Sequence, residues 1–136
     1  TLPFTTSGAI VAATFVSMPF YVVTVEGAIR AGGDHLEQMA DTLGTPPLAV
    51  LRKITLPRLW PAVGAGLALA WARALGEFGA TITFAGNLPG RTQTLPLATF
   101  LALESDPEAA LALSVLMVFI SLVVLVPLRN RWLPGR

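Results

Sequence analysis

Arg73 and Glu77 stand four residues apart in an otherwise apolar run, WARALGEFGATITFAG, residues 71–86. On a helix that spacing brings a guanidinium and a carboxylate onto one face. In hydrocarbon a lone charge costs about 2.5–3.5 kcal/mol on insertion scales, so intramembrane ions pair with one another or line a polar path. A closed ion pair fixes helix packing and does no more. An arginine on a path draws an oxyanion, and Glu77 opposes that attraction unless it is paired. With Gly76 and Gly79 beside them, Arg73 and Glu77 are the candidate pathway or gate residues.

The second constellation is mechanical. Leu36 to Pro57 reads LEQMADTLGTPPLAVLRKITLP, a polar, punctuated segment between long apolar runs. Leu36, Met39, Ala40 and Leu43 fall at i, i+3, i+4 and i+7, one apolar stripe on a helix that is otherwise polar. Asp34 followed by Glu37 resembles a capping arrangement, and Gly44 suits the left-handed residue after a helix end. Thr45 and Pro46 restart a helix carrying Val50, Leu51 and Ile54, which ends at Leu56-Pro57. Such a stripe rests on its own bundle or on lipid, or else seats in the groove of a soluble partner.

No further chemistry is expected. The chain has no G-x-x-x-x-G-K-[ST], so it does not hydrolyse ATP unaided, and Gly64-x-Gly66 inside an apolar run is packing. It has no cysteine, which excludes disulfides and thiolate sites. His35, the single histidine, reads as a solvated residue rather than a metal ligand. No nucleophile is set beside a base, so catalytic residues, metal sites and bound cofactors are all expected to be absent.

The elements that must hold these residues are set by composition. Of 136 residues 54% are hydrophobic and 12% charged; soluble domains carry about 25% charged residues, so lipid is the expected solvent. Basic residues are not gathered on one soluble face, which argues against nucleic acid. Three runs can span a bilayer, roughly Gly8–Ile29 (interrupted by Pro19), Ala62–Ala85 and Ala109–Val126. Asp106 as N-cap, Pro107 as first helical residue and Glu108 open the third. Arg30, Arg52, Lys53 and Arg58 lie between the first two spans, and Arg129, Arg131 and Arg136 follow the third, which is seven of the nine basic residues. The positive-inside rule makes that side cytoplasmic, C-terminus included, with Trp60 and Trp132 near the same interface.

Taken as one helix, the second span puts Leu67, Trp71, Leu75, Phe78 and Ile82 on a bulky side facing lipid or a peripheral helix. Ala62, Gly66, Ala70, Arg73, Gly76, Glu77 and Ala80 lie on a small, charged side facing the bundle. At 1.5 Å per residue Arg73 lies about 20 Å and Glu77 about 26 Å above Trp60, in the outer half. The stretch from Gly86 to Pro96 is turn chemistry, an exposed connector, with a short external helix expected around Leu95–Leu103.

Gly44, nine residues, then Ile54-Thr55-Leu56-Pro57 resembles the cytoplasmic E-A-A-x-x-x-G…I-x-L-P loop of importer-type ABC transporter permeases. Ala40, Gly44, Ile54, Leu56 and Pro57 match that pattern, with Glu37 and Gln38 at its acidic start; the family's Glu falls on Gln38 and its first Ala on Met39. Gly76-Glu77-Phe78-Gly79 leading into Gly86-Asn87-Leu88-Pro89-Gly90-Arg91-Thr92 is similar to the molybdate branch of these permeases and to the related sulfate permeases. Thr94-Leu95-Pro96-Leu97-Ala98 and Leu103 to Ala110 look more like molybdate members, and the likeness reaches back to Met18-Pro19-Phe20 and Val25-Glu26-Gly27-Ala28.

The resemblance implies an all-α integral membrane bundle of the MetI-like permease type, one domain over residues 1–136 with a coupling segment at 34–57. Because family members are longer at the N-terminus, it also implies the C-terminal part of a longer subunit. The implied function is the membrane subunit of an ATP-driven molybdate importer in a prokaryotic cytoplasmic membrane, working by alternating access. Its implied partners are a second permease copy, an ATP-binding subunit that holds ATP and Mg²⁺, and an extracytoplasmic molybdate-binding protein. A sulfate or thiosulfate permease is the first alternative, and a membrane scaffold without a transport path is the second.

Overall fold

A computed structural model describes residues 3–33 and 35–132, the side chains of 128–132 excepted. Asp34, the side chains of Arg129, Arg131 and Trp132, and Arg136 lie outside the described residues. The described chain is helical: α1 Thr6–Gly32, α2 His35–Thr42, α3 Pro47–Val50, a π-helical turn Leu51–Thr55, α4 Leu56–Leu75, α5 Gly79–Ala85, α6 Leu95–Ser105 and α7 Pro107–Trp132.

Two of these helices, α1 and the Pro107–Pro127 part of α7, are long and apolar enough to cross a bilayer. Thr5 starts α1 by accepting the Gly8 N–H at 3.1 Å, and the helix runs through Pro19 to end at Gly33, whose φ of 61° needs no Cβ. Asp106 caps α7 as expected, its Oδ1 accepting the Ala109 N–H at 3.1 Å with Pro107 as first residue. Asp106→Ala is therefore expected to cost about 1 kcal/mol of stability, read as a lower melting point of the detergent-solubilised protein. The short helix expected around Leu95–Leu103 is α6, whose Leu97 is fully buried, and it packs on α7.

The central interface is α1 against α4, and small residues of α4 let the backbones approach there. Gly66 and Ala68 of α4 are buried, as is Ser17 in the middle of α1. Gly8, Ala9 and Ala12 are buried nearer the start of α1, where Ala12 lies beside Ala80 and Phe84 of α5. Lipid offers no hydrophobic drive between helices, so close backbone approach must supply the attraction. At Gly66 the approach is tight: a Cβ would sit 2.9 Å from Tyr21 Cδ2 and 3.2 Å from the Tyr21 carbonyl oxygen. Gly66→Val should thus push α1 and α4 apart at a cost of about 1–3 kcal/mol. Gly27→Ala, with nothing within 4 Å of the new carbon and a better helix former in place, should hold thermal stability or raise it by up to about 1 kcal/mol.

The second expected span is not one helix. It breaks at Gly76–Phe78 into α4 and α5, so the single-helix face assignment holds only within α4. There Gly66 is buried and Leu67 exposed, as expected, but Trp71 and Leu75 of the bulky side are half-buried like Ala62, Ala70 and Arg73 of the small one. Beyond the break, Gly76 and Gly79 are exposed rather than interior, and Phe78 meets Phe100 of α6 edge-on at 5.1 Å between ring centres. Glycine is a poor helix former, and Glu77 supplies an alternative partner for the amides that follow.

The two ends of the molecule differ as the charges predict. Arg58 lines the junction of the α1 C-terminus, α2 and the root of α4, with Arg30 in the last turn of α1 and Arg52 and Lys53 in the π turn. Arg91 is at the other end, where the loop after α5 folds onto the start of α1. That loop is no loose connector: Thr6 Oγ1 donates to the Arg91 carbonyl at 2.8 Å, Phe4 N–H to the Phe84 carbonyl at 3.3 Å, and Leu88 N–H to the buried Thr92 Oγ1 at 2.9 Å.

Candidate functional site

The Leu36–Pro57 segment stands out from the bundle as a short helix with a tight end. Gly44, at φ 70°, closes α2: its N–H donates to the Asp41 carbonyl at 2.9 Å, and the Thr45 N–H reaches the Ala40 carbonyl at 3.0 Å. These are the paired bonds of a glycine C-terminal motif, and the glycine is required because other residues are strained at that φ. The four-residue stripe divides. Ala40 turns inward and is buried, whereas Leu36, Met39 and Leu43 are 51%, 61% and 82% exposed. Three large apolar side chains therefore lie on a helix face that the described residues leave open.

The root of this segment departs from expectation. The second helix does not end at Ile54-Leu56-Pro57; it continues through the π turn into α4, with the Leu56 N–H bonding the Leu51 carbonyl five residues back. Pro57 has no N–H to give Lys53, and a widened turn is one way for a helix to pass such a gap. Ile54 is half-buried and Leu56 exposed. Nor is Glu37 a free acidic group: its Oε1 accepts a 2.6 Å hydrogen bond from Thr55 Oγ1. One turn further along, Arg58 Nη1 donates to the Gly33 carbonyl at 3.2 Å, capping the C-terminus of α1. Between α2 and the π turn an open groove of about 490 Å³ is lined by Glu37, Gln38, Asp41, Thr45, Val50 and Leu51 among others.

The Arg73–Glu77 pair forms as the spacing requires, with Nη1 and Oε2 2.8 Å apart. The structure adds what surrounds it. Glu77 is only 5% exposed, and its other oxygen accepts the Ala80 N–H at 2.7 Å, so one carboxylate neutralises Arg73 and starts α5. Arg73 lies 5.9 Å from the centre of the Phe20 ring on α1, a cation–π distance. Its side chain is 37% exposed, and a guanidinium has five donors, so this is a half-open cation held on two sides. The axial rise expected for Arg73 holds along the unbroken α4; that for Glu77 does not, because the helix ends at Leu75. Gly76 and Gly79 serve the break rather than a wall of the bundle.

Sequence reasoning passed over Thr55, Arg58 and Phe20. Their partners are 18, 25 and 53 residues away in the chain, beyond any local pattern. Only the Thr55–Arg58 spacing, one helical turn, hinted at a shared face. Among the described residues, no three His, Asp or Glu side chains come together as a metal site.

Comparison with known proteins brings these features together. The family described as binding-protein-dependent transport system inner membrane component matches residues 1–134. The molybdenum transport system permease protein ModB of Mycobacterium tuberculosis is 49% identical over 123 residues, 90% of this chain and 47% of that protein. ModB of Escherichia coli is 38% identical over 133 residues, 98% of this chain and 58% of its own length. The sulfate transport system permease protein CysT of Salmonella typhimurium is 42% identical over 123 residues, 90% of this chain and 44% of that protein. The chain spans about half the length of the curated relatives it matches. No solved structure matches it.

Proposed function

Because the chain belongs to the family of binding-protein-dependent transport system inner membrane components, we propose that it is part of the membrane subunit of an ATP-driven molybdate importer. The observation that carries this reading is the exposed Leu36–Met39–Leu43 face on a rigidly capped helix at the basic end of the bundle. A helix of this kind seats in the cleft of a soluble partner. Here that partner is an ATP-hydrolysing subunit, which holds ATP and Mg²⁺ itself. Docking involves Leu36, Gln38, Met39 and Leu43 directly. Ala40, Gly44, Ile54, Leu56 and Pro57 shape the helix and its root, and Glu37 braces it.

Force delivered to α2 reaches α4 through the π turn and rocks the outer half, where α4 breaks into α5. Two copies of the subunit enclose the path. The half-open Arg73, steered by Glu77 and Phe20, presents guanidinium donors to a passing tetrahedral oxyanion. An extracytoplasmic binding protein delivers that anion to the end marked by Arg91. The Arg129–Arg136 side is cytoplasmic by the positive-inside rule.

Molybdate is supported by the 49% identity to the mycobacterial molybdenum permease. The 42% identity to a sulfate permease keeps sulfate as a second reading. Radiolabelled molybdate uptake by cells carrying the full-length subunit and its partners decides between them. Uptake that a large excess of sulfate does not suppress supports molybdate; labelled sulfate entering while molybdate does not would replace it. A chain that never co-purifies with an ATPase fits the scaffold alternative.

A further inference from the structure

We propose that the Thr55–Glu37 hydrogen bond is the positioning contact that sets how much of each ATP-driven stroke reaches the transport helices. The inference rests on the importer reading given above.

Among the described residues, the Thr55–Glu37 bond is the one side-chain hydrogen bond that joins α2 to the root of α4. Of its apolar stripe only Ala40 is buried, while the larger side chains face outward. On one side α2 is joined to α1 through Gly33, at φ 61°, and on the other to α3 through Gly44, at φ 70°. The Gly33 junction is a bend, whereas the Gly44 end is tied by its paired hydrogen bonds, so α2 moves as one rigid piece about its Gly33 side. The π turn at the base of α4 adds a second place where motion can be absorbed, since its wider ring departs from the regular hydrogen-bond ladder. A push on Met39 or Leu43 would dissipate at these points.

Thr55 and Arg58 oppose that loss. They lie one turn apart at the root of α4, and each grips a different neighbour, Glu37 in the first turn of α2 and the carbonyl of Gly33 at the end of α1. A small pocket of about 30 Å³ lies between them, lined also by Ala28, Ile29 and Leu59. Of the two grips only Thr55 reaches α2. Its 2.6 Å length and part-buried setting make it a short, charge-assisted bond, the stronger kind. The contact leaves the docking face untouched, because Glu37 turns toward α4 while Leu36, Met39 and Leu43 turn away. Losing it should change the transmission of force, not the recruitment of the ATPase.

The test reconstitutes the full-length subunit with its ATPase and binding protein in liposomes, with radiolabelled molybdate as probe. Thr55→Val keeps the side-chain shape and removes the hydroxyl. It should assemble and hydrolyse ATP at the wild-type rate while molybdate moved per ATP falls about tenfold, and Thr55→Ser should restore the ratio. Spin labels on Thr42→Cys and Lys53→Cys, both exposed sites, should show one narrow distance in the wild type and a broad distribution in Thr55→Val. An unchanged transport ratio in Thr55→Val, with the wild type transporting, overturns the brace and leaves the importer reading standing. A wild-type complex that hydrolyses ATP while moving neither labelled molybdate nor labelled sulfate overturns the importer reading and the brace with it. Should Thr55→Val not assemble, the label distance in Thr55→Ala decides: a narrow, wild-type distribution overturns the proposal.

Discussion

Met39→Glu combined with Leu43→Glu is expected to abolish recruitment of the ATPase while the membrane part still assembles. Both side chains are mostly exposed, at 61% and 82%, so neither holds the bundle together. The helix they sit on is fixed by other means, namely the Gly44 end and the buried Ala40. In a docked complex both would enter an apolar cleft. Burying a large aliphatic side chain contributes about 1.5–3 kcal/mol, so two of them contribute about 3–6 kcal/mol, and a carboxylate forced into the same cleft adds a desolvation cost. At 1.4 kcal/mol per tenfold, affinity should fall by more than about a hundredfold. Co-purification of the tagged subunit with its ATPase reads this directly. Retention of the ATPase at the wild-type level would remove α2 as the docking element.

Arg73→Ala is expected to end molybdate uptake. Stability and transport must be separated here, because the substitution leaves Glu77 almost wholly buried without its partner. Breaking a buried pair from one side costs about 3–5 kcal/mol; the 37% exposure of Arg73 places this pair below that range. Arg73→Ala with Glu77→Gln removes both charges at once and keeps an oxygen able to accept the Ala80 N–H that begins α5. The double variant should therefore regain a melting point near wild type and assemble with its ATPase, yet transport less than about a hundredth of the wild-type molybdate, since the guanidinium donors are gone. Full uptake by the double variant would reduce the pair to a packing device.

Much of the scaffold was legible along the chain because it rests on contacts within a turn or two. The stripe of α2, the left-handed Gly44, the Asp106–Pro107 start of α7, the helix beginning at Leu95 and the Arg73–Glu77 pair all follow from residues at most seven apart. The same local rules misled where two of them competed. Apolar periodicity from Ala62 to Ala85 favoured one helix, but Gly76 and Gly79 weaken it there, and the Glu77 carboxylate takes the Ala80 N–H for a new start. At Pro57 the expected stop became a π turn, because the backbone widened instead of ending.

The sequence by itself determined that this chain is a set of apolar helices, with a polar, capped segment between them and its basic charge at one end. Those properties depend on hydropathy, local hydrogen bonding and charge count, all of which neighbouring residues decide. Only the tertiary structure decided that Glu37 is held by Thr55, that Arg58 closes α1, that Phe20 flanks Arg73 and that the outer loop clasps the start of α1 through Thr6. Each of these joins residues at least 18 apart in the chain. Such a contact forms only after helix packing has brought the two backbones within hydrogen-bond or ring-contact reach, and no periodicity along the chain encodes that distance.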